Sequence, residues 1–317
     1  MTGNTERGPG TPSAEDLPEL TDRLSPIHRL YISPVPHRLV PWRVAMLLMW
    51  LRSEIRWRLS AAYRRDQIWQ MRYAYPESVL DDRALERVAR RNGFHRGRRA
   101  ELVWRPWLTD TLPVEGAERV RAAQASGRPV ILALVHQGGF QAAPQSLARA
   151  GIDTAIVASG HFFRNPQPGY SGYRDRRYIL NGLESDVTII LNDNMVEPVA
   201  EAFARKQAVV LAWDMHGKHP VHLFGREVYV QPGIARVAKL HKALVFPLRI
   251  SPGPGPFGSR VTIEEPIDAA AAASWQELLQ ELVDRQAEAL LAWPESIEWA
   301  PGRWLLEKPE RGWRPPL

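Results

Sequence analysis

From Arg128 onward, short apolar runs alternate with longer stretches whose apolar residues recur every three or four positions. The runs PVILALV (129–135), TAIVAS (154–159), VTIIL (187–191), AVVLAW (208–213), ALVFPLRI (243–250) and RVTIEEP (260–266) predict strands. Helical spacing fits at 140–150, 195–206, 232–242 and 274–292. This alternation predicts an α/β fold, a mixed, largely parallel sheet flanked by helices. SPGPGPFGS (251–259) reads as a turn-rich excursion between two strands rather than a domain linker. No internal repeat is visible.

Upstream the pattern is helical. From Trp42 to about Tyr75, between Pro41 and Pro76, the residues Ile55, Leu59, Ala62 and Trp69 recur at spacings of three, four and seven. A second helix, DDRALERVARRNGF (81–94), opens on two aspartates and is expected to end at Asn-Gly. The resulting division is a disordered tail at 1–26, an N-terminal amphipathic helical region at 27–110, an α/β domain at 111–309 and a tail at 310–317. Between residues 38 and 108 there are sixteen arginines against seven acids, and half of the twelve tryptophans. Such a stripe suits an anionic membrane interface; equally, it suits a helix whose apolar side packs on its own domain.

Composition narrows the classes. With no cysteine, disulfides, zinc thiolates and a cysteine nucleophile are excluded. Five of the 41 basic residues are lysine, leaving 36 arginines, at a net charge of +6. Arginine's planar fork suits phosphates and carboxylates, although a bias in codon usage would give the same excess. No nucleic-acid-binding module accompanies the charge, so nucleic acid is not an expected partner. The longest early apolar run, VAMLLMWL (44–51), is eight residues where a span needs about 20. With no cleavable signal visible in the first 25 residues, the expected location is cytoplasmic, with room for association with the cytoplasmic membrane face.

Three constellations could carry chemistry. In LVHQGGFQAAPQSL (134–147), His136 follows a strand, and in open α/β sheets ligands gather at the carboxyl ends of strands. Gly138 and Gly139 would let a substrate approach the backbone beside Phe140, and free N–H groups there could face an oxyanion. Five residues after His136 stands Gln141, which is uncharged. The second constellation is DMHGKHPVH, with Asp214, His216, His219 and His222. Three histidines and an aspartate could bind zinc, but Gly217 and Pro220 argue against a helix that would align them, so no metal is expected. His216 is kept as a substrate-facing residue. The third, RDRR (174–177) with Arg164 and His161, offers Arg174 and Arg177 to an anion, or is a solvated charge run.

In its ordered combination the chain resembles the lipid A late acyltransferase branch of the lysophospholipid acyltransferase superfamily. HQGGFQ is similar to that branch's H-x4-D/E motif, and residues 208–250 to its second region, where an Asp follows a strand before an apolar-Phe-Gly turn. FFRNPQPGYSGYRDRR (162–177) resembles its Asn-Pro and arginine segment, and SIEWAPGRWLLEKP (296–309) its Trp-containing end; together the resemblance covers 85–309. It implies an acyltransferase that binds no cofactor and takes an acyl thioester of acyl carrier protein or coenzyme A as co-substrate. His136 would be the base on an acceptor hydroxyl or amine, of a lipid or a specialised metabolite, and Gln141 would occupy the carboxylate position. An amide cannot neutralise an imidazolium, and in the serine-protease template that exchange lowers turnover about 10⁴-fold. An amine acceptor would ease the demand, and Asp214, which also ends a strand, could supply the charge. The alternative is a degenerate relative that binds acyl chains or carrier protein without turnover.

Overall fold

The computed structural model describes residues 24–160, 169–253 and 258–310, together with 12, 13, 15–17, 20 and 163. Five helices lead: α1 (Pro26–Ile32), α2 (Pro34–Leu39), α3 (Trp42–Leu59), α4 (Ala61–Ala74) and α5 (Asp82–Trp104). Ser25, Ser33, Ser60 and Asp81 each cap the following helix with a side-chain oxygen that accepts a backbone N–H of its first turn. The single helix expected over 42–75 is therefore two, because Ser60 ends α3 in an extended conformation and caps α4.

The second helix, expected to stop at Asn92-Gly93, runs on to Trp104. Gly93 serves helix packing rather than termination: a Cβ there would run into the Tyr63 hydroxyl and lie 2.8 Å from Ser53 Oγ. Asn92 donates its amide to the carbonyls of Glu295 and Ile297, both at 2.9 Å.

The sheet follows the alternation read from the sequence. Its strands are β1 (Val114–Glu115), β2 (Val130–Leu134), β3 (Thr154–Ala158), β4 (Thr188–Leu191), β5 (Ala208–Ala212), β8 (Leu244–Pro252), β9 (Ser259–Ile263) and β10 (Ile267–Asp268). The order is β1-β9-β8-β2-β5-β3-β4, with β10 beside β8. Every pair from β8 through β2, β5, β3 and β4 is parallel; β9 and β10 meet β8 antiparallel. Between strands lie α6 (Ala117–Ala125), α7 (Ala143–Arg149), α8 (Gly169–Glu184), α9 (Val196–Ala204) and α10 (Gly233–His241), and α11 (Trp275–Ala292) follows the last strand. The histidine-bearing segment, in which Gly217 and Pro220 argued against a helix, forms a hairpin, β6 (His216–Leu223) with β7 (Arg226–Val230), bulged between His216 and His219.

β2 is buried along its whole length, as a central parallel strand covered on both faces must be. Ile131, Ala133 and Val135 enter one core with residues of α10 and α11, while Val130, Leu132 and Leu134 enter the other with α6, α7 and α8. This is the period-two division of a pleated strand. α5 reaches both cores, through Leu85 and Ala89 on one side and Leu102 on the other.

The apolar stripe Ile55, Leu59, Ala62 and Trp69 does not pack on its own domain: all four residues are exposed. In the described part of the N-terminal segment, the carbonyl of Leu17 accepts from Arg176 at 3.0 Å and that of Leu20 from Tyr173 at 2.9 Å.

Candidate active site

β2 and β5 are adjacent and in register, with Leu134 opposite Ala212. Two residues beyond each lie His136 and Asp214, so the register itself sets them face to face. His136 Nδ1 lies 2.8 Å from Asp214 Oδ1, and the His136 backbone N–H donates to Asp214 Oδ2 at 2.9 Å. Asp214 is fully buried, whereas the His136 side chain remains 14% exposed. The carboxylate therefore fixes both the ring and the backbone of the histidine. It selects the tautomer with a proton on Nδ1 and the lone pair on Nε2. The Phe140 ring meets the imidazole edge-on at 4.6 Å.

The turn after His136 is shaped by its neighbours. Gly138 has φ of +60°, and a Cβ there would lie 2.6 Å from Ile250 Cγ2. At Gly139 a Cβ would come within 2.9 Å of Leu102 Cδ1 on α5. The Gly138 N–H donates to Ser296 O, and the Ala142 N–H to Gly139 O. Gln137 is buried with its amide on the carbonyls of Ala289 and Trp293.

Gln141 makes no hydrogen bond to His136 among the described residues. Its side-chain carbonyl oxygen is buried without a partner.

A strap over residues 296–305 is tied to the turn after His136. The Glu298 N–H donates to His136 O at 2.8 Å, and Ile297 bridges to Gln137. Arg99 of α5, buried, donates to Ser296 O at 2.6 Å. Arg303 pairs with Glu298 and reaches Met215 Sδ at 3.6 Å, beside Asp214. Burial pushes the Arg303 guanidinium down to about 10, leaving it cationic at neutral pH. Burial first, then the charge of Arg303, lower the His136 pKa from its ordinary value; Asp214 opposes them.

The remaining expected residues fall as follows. Arg174 pairs with Asp175 at 2.9 Å, and Arg177 with Glu184. Arg174 also adds positive charge to the surroundings of Arg99 and Arg303. His216 Nε2 faces the Pro301 carbonyl at 2.8 Å, and His219 packs on the Trp275 ring. Among the described residues no group of three or more His, Asp or Glu could hold a metal ion. His161 and Arg164 lie outside the described residues. Sequence reasoning assigned no role to Arg99, Glu298 or Arg303. The only signal for the last two was their place in SIEWAPGRWLLEKP.

Among solved structures the chain is similar to the 1-acyl-sn-glycerophosphate acyltransferase of Thermotoga maritima. The identity is 16%, over 80% of this chain and 98% of that one, with a TM-score of 0.39, too low to carry an argument about function. No curated protein matches. The family model for bacterial lipid A biosynthesis acyltransferases matches residues 87–306, more than two thirds of the chain. That span holds His136, Asp214 and the strap, and the chain belongs to the bacterial lipid A biosynthesis acyltransferase family.

Proposed function

We propose that the chain transfers an acyl group from the thioester of acyl carrier protein or coenzyme A to a hydroxyl or amine of a lipid acceptor. The single observation that carries this reading is the buried, two-point bond between Asp214 and His136. Nε2 of His136 takes the proton of the acceptor as its oxygen or nitrogen attacks the thioester carbonyl. The tetrahedral intermediate collapses, the carbon–sulfur bond breaks, and the imidazolium returns the proton to the departing thiolate. Asp214, not Gln141, is the anion that steadies the imidazolium. A site already provided with a buried carboxylate does not need one five residues after the histidine.

Burial and Arg303 both disfavour the protonated ring, which keeps the base neutral in resting enzyme. Proton uptake in the reaction is then offset by the Asp214 charge at 2.8 Å. A specialised-metabolite acceptor would use the same chemistry.

The test is thioester loss and acyl-acceptor formation, measured with acyl carrier protein and coenzyme A donors against lipid alcohol and amine acceptors. Wild type should consume thioester. His136→Ala should abolish turnover, and Asp214→Asn should lower it about 10³- to 10⁴-fold. Thioester binding with no turnover across both acceptor types would reject the reading in favour of a degenerate binder.

A further inference from the structure

The buried face of α11 is apolar at Leu278, Leu279, Leu282, Val283, Ala289 and Leu290, with one polar member, Gln286, at 1% exposure. A leucine at this position would suit the helical stripe equally well. An amide there costs free energy unless its donors and its acceptor are bonded. Gln286 is bonded at both ends. Its Oε1 accepts the indole N–H of Trp213, and its Nε2 donates to Ala133 O at 2.8 Å and to Leu248 O at 3.2 Å.

The bonded groups lie where the sheet's own ladder runs out. Registered pairing of β2 with β8 ends at Ala133 and Pro247, and that of β2 with β5 at Leu134 and Ala212. The Trp213 N–H still reaches Leu134 O, but at 3.4 Å. At this limit the Gln286 amide nitrogen joins a carbonyl of β2 to a carbonyl of β8, while its oxygen holds the residue that follows β5. Ala133 stands three residues before His136, and Trp213 immediately before Asp214. A second glutamine runs the other way: Gln137, next to His136, donates to the carbonyls of Ala289 and Trp293 at the end of α11. The helix is therefore fixed to the ends of the strands that carry His136 and Asp214.

We infer that Gln286 is a positioning residue for the reaction: it sets the spacing of the β2 and β5 ends so that His136 Nδ1 and Asp214 Oδ1 meet at 2.8 Å. The inference rests on the reading of His136 as the base. Gln286 bonds to backbone carbonyls and to an indole, so it acts through the strand ends. A displacement of about 1 Å at such a site can cost about 10²-fold in rate. The charged groups around the imidazole are Asp214 after β5, Arg99 on α5 and Arg303 on the strap, the last paired with Glu298. Both arginines disfavour the protonated ring, and Asp214 favours it. Loosening the Asp214 bond therefore lowers the His136 pKa further, whereas opening the site to water would raise it toward 6.5.

The test compares Gln286→Leu, which keeps the size and removes the hydrogen bonds, with Leu282→Ala, which removes buried carbon from the same face. Both should lower the melting temperature. In Gln286→Leu, kcat per folded protein should fall about 10- to 100-fold with KM within about twofold. The acid limb of kcat/KM should move to lower pH, and the downfield proton resonance of His136 Nδ1 should weaken or shift. Leu282→Ala should keep the wild-type kcat, limb and resonance. Gln286→Glu keeps an oxygen for Trp213 and loses the amide donors; it should show the same shifts, and it serves where the leucine variant does not fold. Wild-type kcat and limb in the Gln286 variants, or a limb that moves toward 6.5, overturn the inference. An equal loss with the same limb shift in Leu282→Ala also overturns it. If wild type itself lacks turnover, the reading of His136 as a base falls, and the resonance decides. Unchanged in Gln286→Leu, it overturns the positioning role; altered there and intact in Leu282→Ala, it upholds that role.

Discussion

Burial withdraws water from the imidazole of His136, and the Arg303 guanidinium adds a repulsive charge, so its protonated form is disfavoured twice. Asp214 works in the opposite direction. A base must be neutral to act, so the acid limb of kcat/KM should fall with an inflection below the ordinary histidine value of 6.5. Replacing Arg303 by Gln removes a charge that lowers the pKa, and the limb should move to higher pH. Arg303→Lys, which keeps the charge, should restore it. An unmoved limb in Arg303→Gln would show that the arginine serves structure alone. Gln141 supplies the contrasting case. Gln141→Glu should neither raise turnover in wild type nor rescue Asp214→Asn, because Asp214 already occupies Nδ1 of His136. Rescue by that glutamate would restore the H-x4-E reading and remove Asp214 from its role.

Among the elements, α1 and α2 are held to α5 by one buried carboxylate. Glu101 accepts from Tyr31 Oη, from Arg105 Nε at 3.0 Å, and faces His37 Nδ1 at 3.3 Å. Burial alone would raise its pKa, but hydrogen bonds from His37, Tyr31 and Arg105 outweigh burial and hold it at about 2. The stability this group contributes is complete above its unfolded value of 4.5 and is lost as pH falls toward 2. Glu101→Ala leaves Arg105 and His37 buried without their anion, which should cost about 3–5 kcal/mol in urea unfolding at neutral pH. The difference from wild type should shrink below pH 4. A variant as stable as wild type at pH 7 would mean that the cluster is not a latch. The sequence foretold the strands well because burial of a parallel sheet writes itself as apolar runs. The contact between Asp214 and His136 was legible because both residues follow a strand end. Strand order, which sets β5 beside β2, is a tertiary property that no local pattern carries. The reading of Gly93 as a helix end failed for a related reason, since its contact with Tyr63 exists only once helices meet; the break at Ser60 is a local serine cap that the helical spacing on either side hides.

Across the whole molecule, the two ends of the family segment meet at the histidine. α5 comes from the start of that segment and the strap from its end. Their contact, Arg99 on Ser296 O and Asn92 on Ile297 O, sits directly behind the turn at 136–138. The strap is anchored further along by Trp304, which is fully buried and stacks on Trp213 at 6.4 Å and 7°. Trp213 immediately precedes Asp214. The Trp304 carbonyl accepts from Tyr73 of α4, and Leu305 exchanges both backbone hydrogen bonds with Tyr229 of β7. Trp304 therefore packs on the residue next to the carboxylate, while Leu305 beside it ties the strap to β7. Removing the Trp304 indole should act on stability and on the site together. Trp304→Ala is expected to destabilise by about 3–5 kcal/mol through lost burial and the cavity left behind. It should also lower turnover in protein that remains folded, because the Glu298 and Ser296 bonds to the His136 turn lose their anchor. The measurement is specific activity well below the melting transition, normalised to folded protein by near-ultraviolet circular dichroism. Trp304→Phe keeps an aromatic face against Trp213 and should recover most of both losses. Normal specific activity in folded Trp304→Ala would confine the strap to a structural part and leave the dyad supported by the sheet register alone.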